Sequence, residues 1–166
     1  MMAALRAYDE RMLDVITARR KRWLDIFMRG VTHAGDWPSM VGITLILSFG
    51  FPSGLRRVGL ECMAVLTVSH LAVQLMKRTI NRARPKLRSA GLFVLKPPDR
   101  FSFPSGHATA GLAVAIPLYV ALPALAAFTV LGLGLAIGVS RAYLGVHYPG
   151  DVLMGWVTAI VTALIV

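Results

Sequence analysis

Residues 108–140, ATAGLAVAIPLYVALPALAAFTVLGLGLAIGVS, carry no charged side chain. A single helix over these 33 residues would run about 50 Å, against a bilayer hydrocarbon core roughly 30 Å thick. Two shorter helices joined near Leu122-Pro123 fit better, because proline breaks a helix and favours a turn. Such a hairpin returns the chain to the membrane face it left.

Outward from this run, the C-terminal side reaches Asp151 and then an apolar stretch, 152–166, that makes a last span. On the N-terminal side, 77–104 is the longest polar stretch. It holds Lys77, Arg78, Arg82, Arg84, Lys86, Arg88, Lys96 and Arg100, and its prolines exclude one continuous helix. It reads as a loop, with a short interfacial piece at 91–95. Before it, 58–76 forms a second span interrupted by Glu61 and His70, for which buried packing roles are expected. A Pro52-Ser53-Gly54 turn separates that span from a first one over about 24–51. Residues 5–22 place Leu5, Tyr8, Met12, Val15 and Ile16 at helical spacing opposite a charged face, as in an amphipathic helix at a membrane surface. The expected fold is all-α: a polytopic membrane helical bundle of about five transmembrane helices plus an N-terminal interfacial helix. Residues 1–22 supply that surface helix and 24–166 the helical core of one membrane-embedded domain.

Composition agrees with a bilayer protein. Of 166 residues, 56% are hydrophobic and 16% charged, and mean hydropathy is +0.64, too apolar for an ordinary soluble globule. Eighteen Lys and Arg oppose eight Asp and Glu. The basic residues flank apolar runs instead of interleaving with aromatics, so an anionic membrane or substrate is expected and nucleic acid is not. Cys62, the sole cysteine, reads as a small buried hydrophobe. Residues 1–22 lack the apolar core of a signal peptide.

Three polar clusters survive, all at span ends. Because two spans restore the original side, the three can meet on one face. In the first, 77–85, Arg84 offers a planar fork for phosphate oxygens and Lys77 a movable charge, though either alone also reads as a membrane-anchoring flank. In the second, Ser105 can cap the following helix, Gly106 lets an anion approach free N–H groups, and His107 can donate a proton. In the third, 140–151, Arg141 is the first charge after the apolar run and needs an anionic partner. His147 and Asp151 are four residues apart. A carboxylate on one imidazole nitrogen would fix the tautomer and leave the other nitrogen free to attack. Cations, nucleophile, orienter and acid form a kit for phosphoryl transfer without a metal. No metal site and no cofactor are expected, since the four histidines and few carboxylates show no ligand spacing.

The motifs K-x6-R-P at Lys77 to Pro85, P-S-G-H at Pro104 to His107, and S-R-x5-H-x3-D at Ser140 to Asp151 resemble the three signatures of the type 2 phosphatidic acid phosphatase family. That family shares its fold with vanadium haloperoxidases and bacterial acid phosphatases. The resemblance implies a phosphohistidine intermediate on His147, oriented by Asp151, with His107 protonating the leaving group. It also implies that Lys77, Arg84, Ser105, Gly106 and Arg141 hold the phosphate. The implied activity is metal-independent hydrolysis of a lipid phosphomonoester or diphosphate. Phosphatidic acid, phosphatidylglycerophosphate, an isoprenoid phosphate or lipid A phosphate are the candidate substrates. A lipid-to-acceptor phosphotransferase would use the same intermediate; a vanadate-dependent haloperoxidase fits the apolar spans poorly. Phe93, Phe101 and Phe103 are placed either to line an acyl or prenyl access route or to anchor at the interface.

A multi-pass protein of the plasma (inner) membrane is expected. Resemblance favours an active site on the outer face, whereas charge points inward. The catalytic face carries seven basic residues up to Arg29, eight in 77–100, and Arg141. With Lys77, Arg84 and Arg141 set aside, thirteen oppose only Arg56 and Arg57, so the positive-inside rule favours a cytoplasmic site.

Overall fold

The structure, a computed structural model, describes residues 2–50, 53–85 and 99–166. Its described residues form seven helices: α1 (Met2–Ala18), α2 (Arg22–Ala34), α3 (Trp37–Phe49), α4 (Ser53–Ile80), α5 (Gly106–Ala121), α6 (Ala124–Tyr143) and α7 (Pro149–Ile165). The only β pairing among them is an isolated antiparallel bridge between Ala83 and Phe101. The 91–95 interfacial piece, Phe93 and Pro52 lie outside the described residues.

The hairpin expected within 108–140 is present as α5 and α6, joined at Leu122-Pro123. The first expected span is instead two helices. Asp36 adopts an extended conformation as the residue before α3, and Pro38 occupies the first turn. A proline there gives up an N–H that has no helical partner, so Gly35-Asp36-Trp37-Pro38 stops one helix and starts the next. The second span also differs from expectation. It runs on through Lys77 and Arg78 to Ile80, where basic side chains favour the negative end of the helix dipole. Asn81, at a φ of 49°, then turns the chain into the left-handed region and ends it.

α5 is central, packing against α3, α4, α6 and α7. It meets α6 closely where two helix backbones cross at glycines. A Cβ on Gly111 would sit 2.9 Å from the Gly134 carbonyl oxygen, and one on Gly134 2.8 Å from that of Gly111. Small residues at such crossings replace the hydrophobic driving force that lipid cannot supply. The distribution of polarity is that of a membrane protein. Thr44, Ser48, Ser69 and Thr109 are at most 1% exposed, whereas Val120, Leu125 and Leu164 are at least 80% exposed. Several buried hydroxyls donate to their own helix, as Ser48 does to the Thr44 carbonyl at 2.7 Å, so no polar group need face hydrocarbon. Two helices, Gly54–Ile80 and Ala124–Tyr143, are long and apolar enough to cross a bilayer, and three shorter apolar helices accompany them.

Cys62 is fully buried, its thiol 3.5 Å from the Val114 carbonyl. Glu61, by contrast, is exposed and pairs with Arg57 one turn away at 3.0 Å, a surface contact worth little. α1 packs on α6 and α7, where Ile16 meets the cluster of Ala108, Ala142 and Val152, while Tyr8 and Val15 remain exposed.

Candidate active site

Alternation of direction along the bundle puts the C-terminal ends of α4 and α6 and the N-terminal ends of α5 and α7 at one end of the molecule. There the three polar clusters meet. A cavity of about 310 Å3 is lined by Lys77, Arg84, Gly106, His107 and His147, five of the eight residues expected from sequence. Ser105, Arg141 and Asp151, all at most 3% exposed, do not line it.

Local structure explains each placement. After α6, Gly145 has a φ of 73°, and the N–H groups of Val146 and Gly145 donate back to the carbonyls of Arg141 and Ala142 at 3.1 and 3.0 Å. This Schellman turn needs a left-handed residue, which glycine adopts without a Cβ penalty. It directs His147 inward two residues later. Across the cavity, the Ser102 N–H donates to the Arg82 carbonyl at 2.7 Å, pinning 82–84 beside 99–102. Extended backbone alternates its side chains, so Arg82 and Arg84 both reach toward the turn before α7.

The tautomer of His147 follows from partners whose roles are fixed. An arginine can only donate and a carbonyl can only accept. Arg84 Nη1 lies 3.0 Å from Nε2, and the Ser102 carbonyl oxygen lies 2.7 Å from Nδ1. The neutral ring therefore carries its proton on Nδ1 and presents a lone pair at Nε2. Burial pushes the His147 pKa down to about 4; Asp151 opposes that, and Arg84 and Arg141 reinforce it. The imidazole is thus neutral at physiological pH.

Asp151 stands beside His147, as expected, but makes no direct hydrogen bond to it. Asp151 Oδ2 is 3.7 Å from Nδ1, beyond hydrogen-bonding reach. Asp151 instead accepts from the Ser102 hydroxyl, from the Tyr148 N–H at 2.9 Å and from Arg82 Nη1 at 2.8 Å. It fixes Ser102, whose carbonyl then fixes the ring. Ser105 accepts at its hydroxyl from the Ala108 N–H at 3.4 Å, capping α5. Its own N–H donates to the Asp151 carbonyl at 3.0 Å, so of the pair Ser105-Gly106 it is Gly106 that faces the cavity.

Carboxylates unassigned by sequence hold the remaining groups. Asp99 bridges Lys77 Nζ at 2.6 Å and Arg84 Nη2 at 2.9 Å. Burial alone would raise its pKa, but hydrogen bonding and charge from Lys77 and then Arg84 hold it below the usual carboxylate range. Asp36 accepts from His107 Nε2 and His33 Nδ1, each at 2.8 Å. Against its partial burial, those two contacts keep Asp36 low as well. Asp9 of α1 accepts from the Gly150 N–H at 2.8 Å and pairs with Arg82 at 2.8 Å. α1 is thereby tied to the Asp151 network. Arg141 donates from Nη1 to Thr32 Oγ1 at 2.8 Å, and its Nε is buried without a hydrogen-bond partner among the described residues. A buried guanidinium with a spare donor is costly until an anion arrives.

Sequence reasoning passed over Ser102, Arg82, Asp99, Asp36 and Asp9. Ser102 acts on His147 through its backbone, which no residue type reveals, and Asp9 lies 141 residues from its Gly150 partner. Arg82 stood among the basic residues of its loop without distinction. Asp36 and Asp99, rare acids in a basic chain, carried the only signal available.

Comparison with known proteins identifies the family. The profile of the PAP2 superfamily matches residues 59–166. Phosphatidylglycerophosphatase B of Bacillus subtilis is 30% identical over 92% of this chain and 78% of its own length. Decaprenylphosphoryl-5-phosphoribose phosphatase of Mycobacterium tuberculosis is 34% identical over 76% of this chain and 70% of its own. A crystal structure of a transmembrane PAP2-type phosphatidylglycerolphosphate phosphatase from Bacillus subtilis superposes with a TM-score of 0.80 at 26% identity. It covers 98% of this chain and 84% of that one. Profile, relatives and fold concur: the chain belongs to the PAP2 superfamily.

Proposed function

We propose that this protein is a membrane lipid phosphatase working through a phosphohistidine on His147, without a metal. One observation carries the reading: His147 presents an unprotonated Nε2 to a cation-lined cavity while its Nδ1–H is committed to the Ser102 carbonyl. Nε2 attacks phosphorus, an N–P bond forms, and the bond from phosphorus to the lipid oxygen breaks. His107 starts as the imidazolium with its Nε2–H held by Asp36, and gives the departing oxygen its Nδ1 proton. A water then attacks phosphorus, His107 takes its proton, and the N–P bond breaks to release phosphate and restore the imidazole. Lys77, Arg84 and Arg141 stabilise the charge that develops on phosphate oxygens, and the N-terminus of α5 at Gly106 adds its dipole. The incoming phosphate replaces the Asp99 carboxylate on Lys77 and Arg84. Release of Arg84 Nη1 from His147 frees the attacking lone pair.

A bilayer places this site at the end of five spans, α3 to α7, with α1 lying at the interface through Tyr8, Met12 and Val15. The shorter helices suit a locally thinned or snorkelled interface. The site faces the cytoplasm, supported by the excess of basic residues at that end.

Purified protein is expected to release phosphate from phosphatidic acid in the presence of chelator, and vanadate to block it. His147→Asn should lower kcat by at least roughly a thousandfold, the scale on which loss of a nucleophile acts. Turnover within tenfold of wild type would refute the covalent role.

A further inference from the structure

The cavity does not stop at the phosphate cations. Its α4 wall continues from Lys77 through Gln74 and His70 to Leu66, positions spaced to share one helix face. Along the axis Gln74 lies about 4.5 Å and His70 about 10 Å from Lys77. A lipid whose phosphate sits between Lys77 and Arg84 therefore lays its next atoms beside Gln74, then His70.

Polar side chains at this depth in an apolar helix need a reason. Gln74 and His70 hydrogen-bond each other at 3.2 Å between the amide nitrogen and Nε2, and the Trp37 ring packs on His70 with centroids 5.6 Å apart. With Gln74 donating to Nε2, the imidazole keeps its proton on Nδ1, and the amide retains its oxygen and a second N–H. Trp37 fixes the ring from the α3 side of the same cavity. The pair is thus a positioned set of donors and an acceptor in the stretch between phosphate and hydrocarbon.

Candidate lipids differ in that stretch. A glycerolipid phosphate carries glycerol and ester oxygens within a few bonds of phosphorus. A prenyl phosphate passes from its phosphate oxygen straight into hydrocarbon, which would leave these donors unanswered. Sites built to hydrogen-bond a substrate group discriminate strongly against analogues lacking it. Resting on the lipid-phosphatase reading above, we propose that His70 and Gln74 recognise the oxygen-bearing linker and make a glycerolipid phosphate the preferred substrate over a prenyl phosphate.

Competition in mixed micelles tests this, with dioleoyl phosphatidic acid and a polyprenyl phosphate presented together to the full chain. The wild-type ratio of kcat/KM is expected to favour the glycerolipid at least tenfold. His70→Leu and Gln74→Leu should each lower that ratio ten- to a hundredfold, and His70→Gln should restore part of it. A wild-type ratio at or below one, or a ratio that neither leucine variant moves, overturns the proposal. If a leucine variant loses both activities, the wild-type ratio alone decides. Phosphate release from neither lipid by the wild type would instead refute the phosphatase reading beneath it.

Discussion

A buried imidazole works best as a nucleophile where each ring nitrogen has one fixed partner, and His147 is held in that way. Its Nδ1 proton points at the Ser102 carbonyl and its Nε2 at Arg84, so neither protonation nor ring flipping competes with the proposed attack. The cost appears at low pH. The folded pKa of His147, about 4, lies below the ordinary value of 6.5. Between those values the unfolded chain binds a proton that the native site refuses, so native stability falls as pH drops through the window. His147→Asn removes the penalty, which is on the order of 3 kcal/mol when fully developed. Thermal melts in detergent should therefore show wild type losing ground to His147→Asn from pH 6.5 down to 4, with no such drift above pH 7. Parallel pH curves for the two proteins would count against a His147 held neutral by burial. At this scale the sequence was legible for groups that act through side chains at motif spacing: Lys77, Arg84, His107 and His147 all face the cavity. It was not legible for Ser102, which orients His147 through a carbonyl every residue possesses.

Among elements, the turns between helices do most to place the site. The Schellman turn at Gly145 sets the direction of His147, and only a left-handed residue closes it. Gly145→Ala is expected to destabilise the fold by about 1 kcal/mol and to lower turnover more than substrate affinity, since the ring rather than the cations moves. A denaturation midpoint indistinguishable from wild type would show that the turn tolerates a Cβ. The α5–α6 hairpin was readable because an uncharged run that long cannot be one span. The break between α2 and α3 was written in Gly35-Asp36-Trp37-Pro38, but uncharged residues beyond it masked a helix start as a continuation. The extension of α4 through Lys77 and Arg78 was hidden for the opposite reason: their charge suggests loop, yet it suits the last turn of a helix.

At the scale of the whole molecule, antiparallel helices gather clusters far apart in sequence at one end of the bundle. Asp9 of α1 also joins that end, through Gly150 and Arg82. The membrane face this end meets is testable with Arg100→Cys in a Cys62→Ala background. In intact cells a membrane-impermeant maleimide should leave the residue unlabelled until the membrane is opened. Labelling before opening would place the site outside. Neither outcome alters the proposed chemistry, which turns on one bond. Protein rapidly quenched in alkali during turnover of 32P-labelled lipid phosphate should retain label, lose it on acid treatment, and yield it on the peptide bearing His147. Absence of label at that peptide in active wild type, or undiminished label in His147→Asn, would contradict the phosphohistidine mechanism.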